Sequence, residues 1–213
     1  GSVFYNMVWQ PVNVAWRSYA GQTSASYQQV FNQAIADGYV PVHVDSHITG
    51  GGPRYSVIFE KKALATLARH NLSYDQHMQV MEQAKDLAMR PVSVSVVSSG
   101  GERRYTTLYH KQPVGSWTLS SQLSAAAYQN KVISEKAAGR RPIYLSSYMH
   151  QGNVNYSAVF AQFPLKTWEA RHGQTSATYQ NNFNMLAGQG FDIDVVAGID
   201  GLNVHRFGAI WTK

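Results

Sequence analysis

The chain of 213 residues contains no cysteine, which excludes disulfides and thiol chemistry and leaves the redox compartment undecided. No apolar run approaches the roughly 18 residues that a membrane helix requires, so no membrane contact is expected. Acidic residues are scarce, 12 against 18 lysines and arginines, for a net charge of +6. Because the basic residues are scattered rather than gathered in a stripe, we expect no nucleic-acid partner.

Sequence motifs of catalysis are missing as well. No serine has a lysine three positions later, and the Gly-x-Ser-x-Gly, HExxH, P-loop and complete GxGxxG motifs are absent. We therefore expect no catalytic residue and no cofactor in this chain. Aromatic residues are plentiful, with 13 Tyr, 8 Phe and 5 Trp, and this content excludes general disorder.

The chain does contain an internal repeat. The stretch AGQTSASYQ from Ala20 returns as GQTSATYQ within the segment from Ala170, and weaker copies begin at Ala68 and Ser120. An aromatic-led apolar strand keeps the same period, with spacings of 50, 51 and 51 between Tyr55, Tyr105, Tyr156 and Phe207. A fixed period of this size indicates stacked or ring-closed supersecondary units.

One repeat predicts four elements. A short extended segment leads to Thr23 and Ser24, which are N-cap residues for an apolar-faced helix that ends at Gly38. A strand with alternating valines begins at Pro41, and a Gly-rich loop joins it to the aromatic-led strand as a hairpin. The aromatics that recur at one register are assigned to the core: Tyr55, Phe59, Tyr105, Tyr109, Tyr156, Phe160, Phe207 and Trp211.

The fold class predicted from this pattern is α/β (α+β), with four tandem strand-helix-strand-strand repeats of about 50 residues. We expect a compact pseudo-fourfold arrangement. Gly1 and Ser2 are interpreted as the remnant of a tag, and 3–213 as a single repeat domain. Its parts are a lone strand at 4–10 and repeats at 11–62, 63–112, 113–162 and 163–213.

Three ligand-type residues alternate along the first repeat's proline-led strand. His43, Asp45 and His47 should share one face, an arrangement suited to a divalent metal or to acid-base chemistry in a self-contained hydrolase. The alternative is a polar strand face, since the second repeat has Ser93 and Ser95 in place of the first two.

Basic residues precede two of the predicted helices. Arg69 and His70, and likewise Arg171 and His172, lie where free backbone N–H groups and basic side chains can hold an anion or a sugar hydroxyl. The alternative is that they brace the loop.

The hairpin loops carry a second group of basic residues, and repeat proteins often gather binding residues on such loops. This predicts a recognition surface at the hairpin ends, formed by Arg54, Arg103, Arg104 and Arg206. The alternative is ordinary turn chemistry with solvated arginines.

Two tripeptides have the form of N-glycosylation sites: NLS at Asn71 and NYS at Asn155. They would be modified only in a protein secreted by a eukaryote.

The assembled pattern, W-x-A-R-H-G-x-T-S-A-x-Y-Q followed by R-Y-x-x-[IV]-[FW]-x-K, resembles the structural repeat of polyglycine hydrolases, which are secreted fungal serine proteases. It is also similar to a repeat of bacterial proteins whose function is unassigned. The resemblance spans essentially the whole chain. It departs from the family pattern at Tyr19 and Ala20 and at Ser120 and Ser121, which replace the Arg-His pair.

The resemblance implies a secreted, extracellular, non-enzymatic domain linked covalently to a β-lactamase-like serine hydrolase domain. Its implied role is to recognise or position the protein substrate, a plant chitinase with a polyglycine linker. A carbohydrate or cell-wall binding module is the alternative function.

Overall fold

All four repeats fold as strand, helix, strand, strand, as the sequence predicted. The computed structural model describes residues 6–112, 115–163, 166–201 and 204–213. Within these ranges the first two repeats contain β1 (Trp16–Gln22), α1 (Ser24–Ala36), β2 (Tyr39–Thr49), β3 (Gly52–Lys61), β4 (Thr66–Leu72), α2 (Tyr74–Asp86), β5 (Arg90–Ser99) and β6 (Glu102–His110). The last two contain β7 (Trp117–Leu123), α3 (Ala125–Ala137), β8 (Arg141–His150), β9 (Asn153–Ala161), β10 (Trp168–Gln174), α4 (Ser176–Gly188), β11 (Asp192–Gly201) and β12 (Val204–Thr212).

Each repeat forms one three-stranded antiparallel sheet with its last strand in the centre, as in the order β1-β3-β2. The fold is therefore α+β and consists mostly of sheet. A bulge follows the start of each second strand, for example between Pro41 and His43. The fourth repeat has the same bulge between Ile193 and Val195, although it lacks the proline, so the bulge belongs to the repeat and not to proline.

Contacts divide the chain into two compact units, and the assignment of 3–213 to a single domain stays a prediction. One unit contains the first two repeats, and the other contains the last two together with residues 6–10. Each unit is thus a pair of repeats. No helix among the described residues is long and apolar enough to cross a membrane.

An N-cap residue begins each helix, and a residue with positive φ follows the end of α1 and of α2. Thr23 is the N-cap of α1, and its hydroxyl accepts a hydrogen bond from the Ser26 backbone N–H at 3.2 Å. After α1 the chain turns at Gly38, which has a φ of +81°. The second repeat places Ala88 at this position with a φ of +52°, a conformation that a residue with a Cβ atom adopts only at a cost.

The second repeat of each pair inserts an apolar side chain into the core of the first. In the first unit Leu108 of β6 is fully buried in a cluster with Tyr27 and Val44. In the second unit Ile210 of β12 is buried in the same way beside Tyr128. These two residues connect the repeats of each pair through their cores.

Polar contacts support the same junction in the first unit. The hydroxyl groups of Ser46 and Ser95 lie 2.9 Å apart in a buried position, and the Ser46 backbone N–H donates to the Ser95 hydroxyl at 3.0 Å. His110 Nε2 lies 2.8 Å from the Pro41 carbonyl oxygen. Hydrogen bonding satisfies these polar groups, whose burial would otherwise be costly.

His77 in α2 gives a pH-dependence prediction. It is fully buried, its ring stacks on Tyr105 at 4.6 Å, and burial lowers its pKa from an ordinary 6.5 to about 4. The unfolded chain therefore binds this proton at a higher pH than the folded chain. The neutral His77 ring therefore contributes fully to the free energy of unfolding above pH 6.5. This contribution is lost as the pH falls towards 4, and the expected loss is about 3 kcal/mol.

A matched variant isolates this effect, because the other repeats have a tyrosine at the same helix position. His77→Tyr should lose less stability than the wild type between pH 7 and pH 4 in urea denaturation. An identical pH dependence in the two proteins would show that His77 titrates normally. Other histidines contribute equally to both proteins and cancel in the comparison.

The segment before the first repeat differs from the prediction of a strand at 4–10. Residues 6–10 form no strand, while Phe4 and Tyr5 lie outside the described residues, as do the interpreted tag at 1–2 and the repeat boundary at 113. Asn6 packs against Gly198 of β11 with its side chain and not through strand pairing. Met7 and Trp9 are 67% and 73% exposed.

Candidate functional site

In the first unit, His70 of β4 lies against the beginning of α1. Its Nε2 is 2.8 Å from Ser24 Oγ. Its ring meets Tyr27 and Tyr55 nearly edge-on, with centroid distances of 4.8 and 4.9 Å. We call His70, Tyr27 and Tyr55 the first tyrosine–histidine cluster.

The second unit repeats this arrangement. His172 of β10 meets Tyr128 and Tyr156 nearly edge-on at 4.9 and 5.3 Å. It hydrogen-bonds the backbone of Ala125. Ala125 is the first residue of α3, as Ser24 is the first residue of α1. His172, Tyr128 and Tyr156 form the second tyrosine–histidine cluster.

The local sequence explains how each histidine reaches the preceding repeat. A residue with positive φ follows it, Asn71 at +56° and Gly173 at +62°, and the strand register shifts at that point. This bulge ends the strand and directs the chain into the next helix. The tyrosines come from the first turn of a helix and from the central strand, and all four are buried.

Burial shifts the pKa values of the histidines and tyrosines in both clusters. Burial lowers the pKa of His70, so its imidazole is neutral at pH 7. Burial also lowers the pKa of His172, although the bond to Ala125 opposes this. Burial raises the pKa of the Tyr55 and Tyr156 hydroxyls, an effect that the charges of Arg104 and Arg206 partly offset.

The structure thus joins four of the eight predicted ligand residues in two equivalent groups. His70 packs against Tyr55, whose pKa is raised by burial and partly lowered by the charge of Arg104, and His172 packs against Tyr156, whose pKa is raised by burial and partly lowered by the charge of Arg206. Arg104 also forms an ion pair with Glu102 at 2.7 Å. Arg206 donates to the His205 carbonyl oxygen at 3.1 Å.

The other predicted ligand residues make local contacts. Arg54 donates to the carbonyl oxygens of Gly51 and Pro53, each at 3.1 Å, a contact of the kind that the alternative of ordinary turn chemistry describes. Arg69 donates to the carbonyl oxygen of Ala68 at 2.8 Å.

The last two of these basic residues also remain near their own strands. Arg171 is 3.0 Å from a carboxylate oxygen of Glu169. Arg103 lies in β6 opposite Ser98 in the strand register. A ligand-binding role for these basic residues stays a prediction.

His43, Asp45 and His47 occupy one face of β2, as the alternation predicted. Among the residues that the structure describes, no three histidine or acidic side chains lie close enough to hold a metal ion. Burial lowers the pKa of His47, while the charge of Asp45 acts in the opposite direction. The trio is therefore a polar strand face and not a metal centre.

The two predicted glycosylation sites differ in their surroundings. Asn71 is exposed at the bulge, and the hydroxyl of Ser73 in its tripeptide caps α2. Asn155 is half-buried within β9 and donates to the Asn153 carbonyl oxygen at 3.0 Å. Asn71 is thus the more accessible acceptor, and modification of either residue stays a prediction.

The contact between Ser24 and His70 was not predicted. Sequence analysis identified Ser24 as a cap residue and His70 as a ligand residue, 46 positions apart. Their proximity depends on how the second repeat packs on the first, and the sequence pattern does not contain that information. The recurrence of His172 at the same position of the fourth repeat was the available signal.

Comparison with known proteins assigns the chain to a family. No curated protein matches it. The family model described as "Polyglycine hydrolase-like, structural repeat" matches four successive segments, residues 13–62, 63–112, 114–163 and 166–213. These segments correspond to the four strand-helix-strand-strand repeats and cover nearly the whole chain. The chain therefore belongs to the polyglycine hydrolase-like structural repeat family.

Proposed function

We propose that this chain is the recognition part of a secreted polyglycine-hydrolase-like protease, which positions the protein substrate for a serine hydrolase domain in the same parent protein. The single observation that carries the proposal is the family match to all four repeats. The proposed substrate is a polyglycine segment, such as the linker of a plant chitinase.

Polyglycine limits the chemistry that can recognise it. It offers no side chains, so a binding surface must address its backbone N–H and carbonyl groups. A guanidinium group carries five N–H donors and suits a row of carbonyl oxygens. Arg104 and Arg206 are half-buried and bound to Glu102 and to the His205 carbonyl oxygen, which restricts their motion and reduces the entropy lost on binding.

The proposal is tested by titrating the chain with an intact chitinase that carries a polyglycine linker. Saturable binding is expected, and it should be absent when the linker is replaced by a Ser/Pro linker of the same length. Arg206→Ala should weaken binding by roughly 10-fold or more, since a hydrogen bond to a charged group contributes about 1.5–3 kcal/mol. Lys85→Ala, which removes an exposed charge from α2, should leave the affinity unchanged.

Equal binding to both linkers would rule out polyglycine recognition. A loss of affinity in Lys85→Ala as large as in Arg206→Ala would show that net charge alone drives the interaction.

Exposed aromatic rings favour a carbohydrate ligand as the second candidate. Trp16 at the start of β1 and Tyr74 at the start of α2 are each 48% exposed. Flat aromatic faces of this kind can pack against apolar faces of sugar rings. A glycan panel with wild type and Trp16→Ala tests this candidate, and binding lost in the variant supports it.

A further inference from the structure

Ser24 and His70 form a serine–histidine pair in the first unit. Ser24 Oγ lies 2.8 Å from His70 Nε2, and Ser24 is exposed to solvent. With the ring proton on Nδ1, Nε2 accepts the hydrogen bond from the serine hydroxyl. This is the contact by which a general base activates a serine nucleophile.

The histidine is held in the form that this chemistry requires. Tyr27 and Tyr55 contact its ring nearly edge-on at 4.8 and 4.9 Å, which fixes its orientation. Burial keeps His70 neutral at pH 7, so Nε2 is free to take up a proton. In a catalytic triad a carboxylate orients the histidine, and in this cluster packing against the two tyrosine rings holds it.

The backbone around Ser24 provides a place for developing negative charge. Ser24 is the first residue of α1, and the Thr23 hydroxyl already takes the Ser26 N–H. The N–H groups of Ser24 and Ala25 have no acceptor within the helix, as in any first helical turn. They lie at the positive end of the helix dipole, next to the hydroxyl that would react.

We propose that Ser24 is an acyl-accepting nucleophile for small activated esters, with His70 as its general base. Ser24 Oγ attacks the ester carbonyl carbon while its proton moves to His70 Nε2. The tetrahedral intermediate collapses as the bond between the carbonyl carbon and the aryl oxygen breaks. The phenol leaves with the proton from Nε2, and the acyl group remains on Ser24 as an ester.

Among the residues that the structure describes, no carboxylate hydrogen-bonds His70, and this determines the substrate class. In subtilisin, removing the aspartate of the triad costs about 3 × 10⁴ in kcat, and removing the serine or histidine costs about 2 × 10⁶. A serine–histidine pair alone therefore retains an advantage of about 10²-fold. This is too little for an amide bond but sufficient for an ester with a good leaving group, so the activity is separate from peptide cleavage.

The repeat supplies a matched control. Ser176 is the first residue of α4 and follows the N-cap Thr175, as Ser24 follows Thr23 in α1. Ser176 is also exposed, and within the described part of the chain no histidine hydrogen-bonds to it. Comparing the two serines in one protein separates the effect of His70 from that of the helix terminus.

The test is to incubate the purified chain with p-nitrophenyl acetate at neutral pH and to follow acetylation of each peptide by mass spectrometry. We expect Ser24 to be acetylated about 10²-fold faster than Ser176. His70→Gln should lower the rate at Ser24 to that of Ser176, and Ser24→Ala should remove this label alone. Equal rates at Ser24 and Ser176 in the wild type would overturn the proposal.

The pH profile of the wild type gives a second readout that needs no variant. If His70 is the base, the rate at Ser24 rises with pH and reaches a plateau once His70 is neutral, and the midpoint of the rise lies below the ordinary histidine pKa of about 6.5. A rate that continues to increase in proportion to hydroxide would exclude His70 as the base. This measurement decides the question even if His70→Gln fails to fold.

Discussion

Replacing Glu135 with alanine is expected to lower the free energy of unfolding by about 3–5 kcal/mol. Glu135 of α3 is only 3% exposed, yet it carries a charge. It forms ion pairs with Lys131 at 2.8 Å and with Arg140, and Thr118 donates to it at 2.9 Å. Removing the carboxylate leaves two partly buried cations without their partner.

The same cluster predicts acid sensitivity. Burial alone would raise the pKa of Glu135, but the hydrogen bonds from Lys131, Arg140 and Thr118 outweigh it and hold the pKa below its ordinary value. The stabilisation by the Glu135 carboxylate is therefore complete above the pKa that Glu135 has in the unfolded chain. It is lost as the pH falls through the lower pKa that Glu135 has in the folded chain. Glu135→Ala should remove this part of the acid response.

The second repeat contains an apolar version of this cluster, formed at the equivalent positions by Val80, Ala84 and Met89. Changing Lys131→Val, Glu135→Ala and Arg140→Met together should restore stability to within about 1 kcal/mol of the wild type. Urea denaturation at neutral pH measures all three proteins. A triple variant as unstable as Glu135→Ala would mean that the size of the side chain, and not its charge, is what matters.

Leu108→Ala is expected to destabilise the first unit by about 2–5 kcal/mol. Leu108 is fully buried in the core of the preceding repeat, so its removal leaves a cavity where the two repeats meet. Thermal unfolding followed by circular dichroism measures the loss.

Ile58 is the control for this prediction, because it holds the same strand position in the first repeat and is 39% exposed. Ile58→Ala should change the stability by no more than about 1 kcal/mol. Similar losses in the two variants would argue that Leu108 does not connect the repeats.

The sequence predicted the elements of the fold because their signals are local. Thr23 and Gly38 mark the ends of α1 through backbone geometry that a single segment determines. The aromatic-led apolar pattern around Tyr55 likewise predicted a strand, which is β3. The fourfold recurrence of these signals made the boundaries clear.

The features that the sequence did not predict depend on contacts between distant segments. Glu135 stands where two other repeats have alanine, and only the structure shows its partners. The lone strand predicted at 4–10 is not formed by residues 6–10, because a strand also needs neighbours to pair with. The Ser24–His70 pair depends on the packing of one repeat on the next.

Repeats that supply a histidine alternate along the chain with repeats that supply its two tyrosines, and this order restricts how the repeats can be rearranged. His70 and His172 come from the second repeat of each pair and always dock on tyrosines of the first. Duplicating or deleting a single repeat would leave a histidine without its tyrosines, or tyrosines without their histidine. Gene duplication in this architecture should therefore proceed by pairs, and a circular permutation is best placed between pairs, outside the tyrosine–histidine clusters.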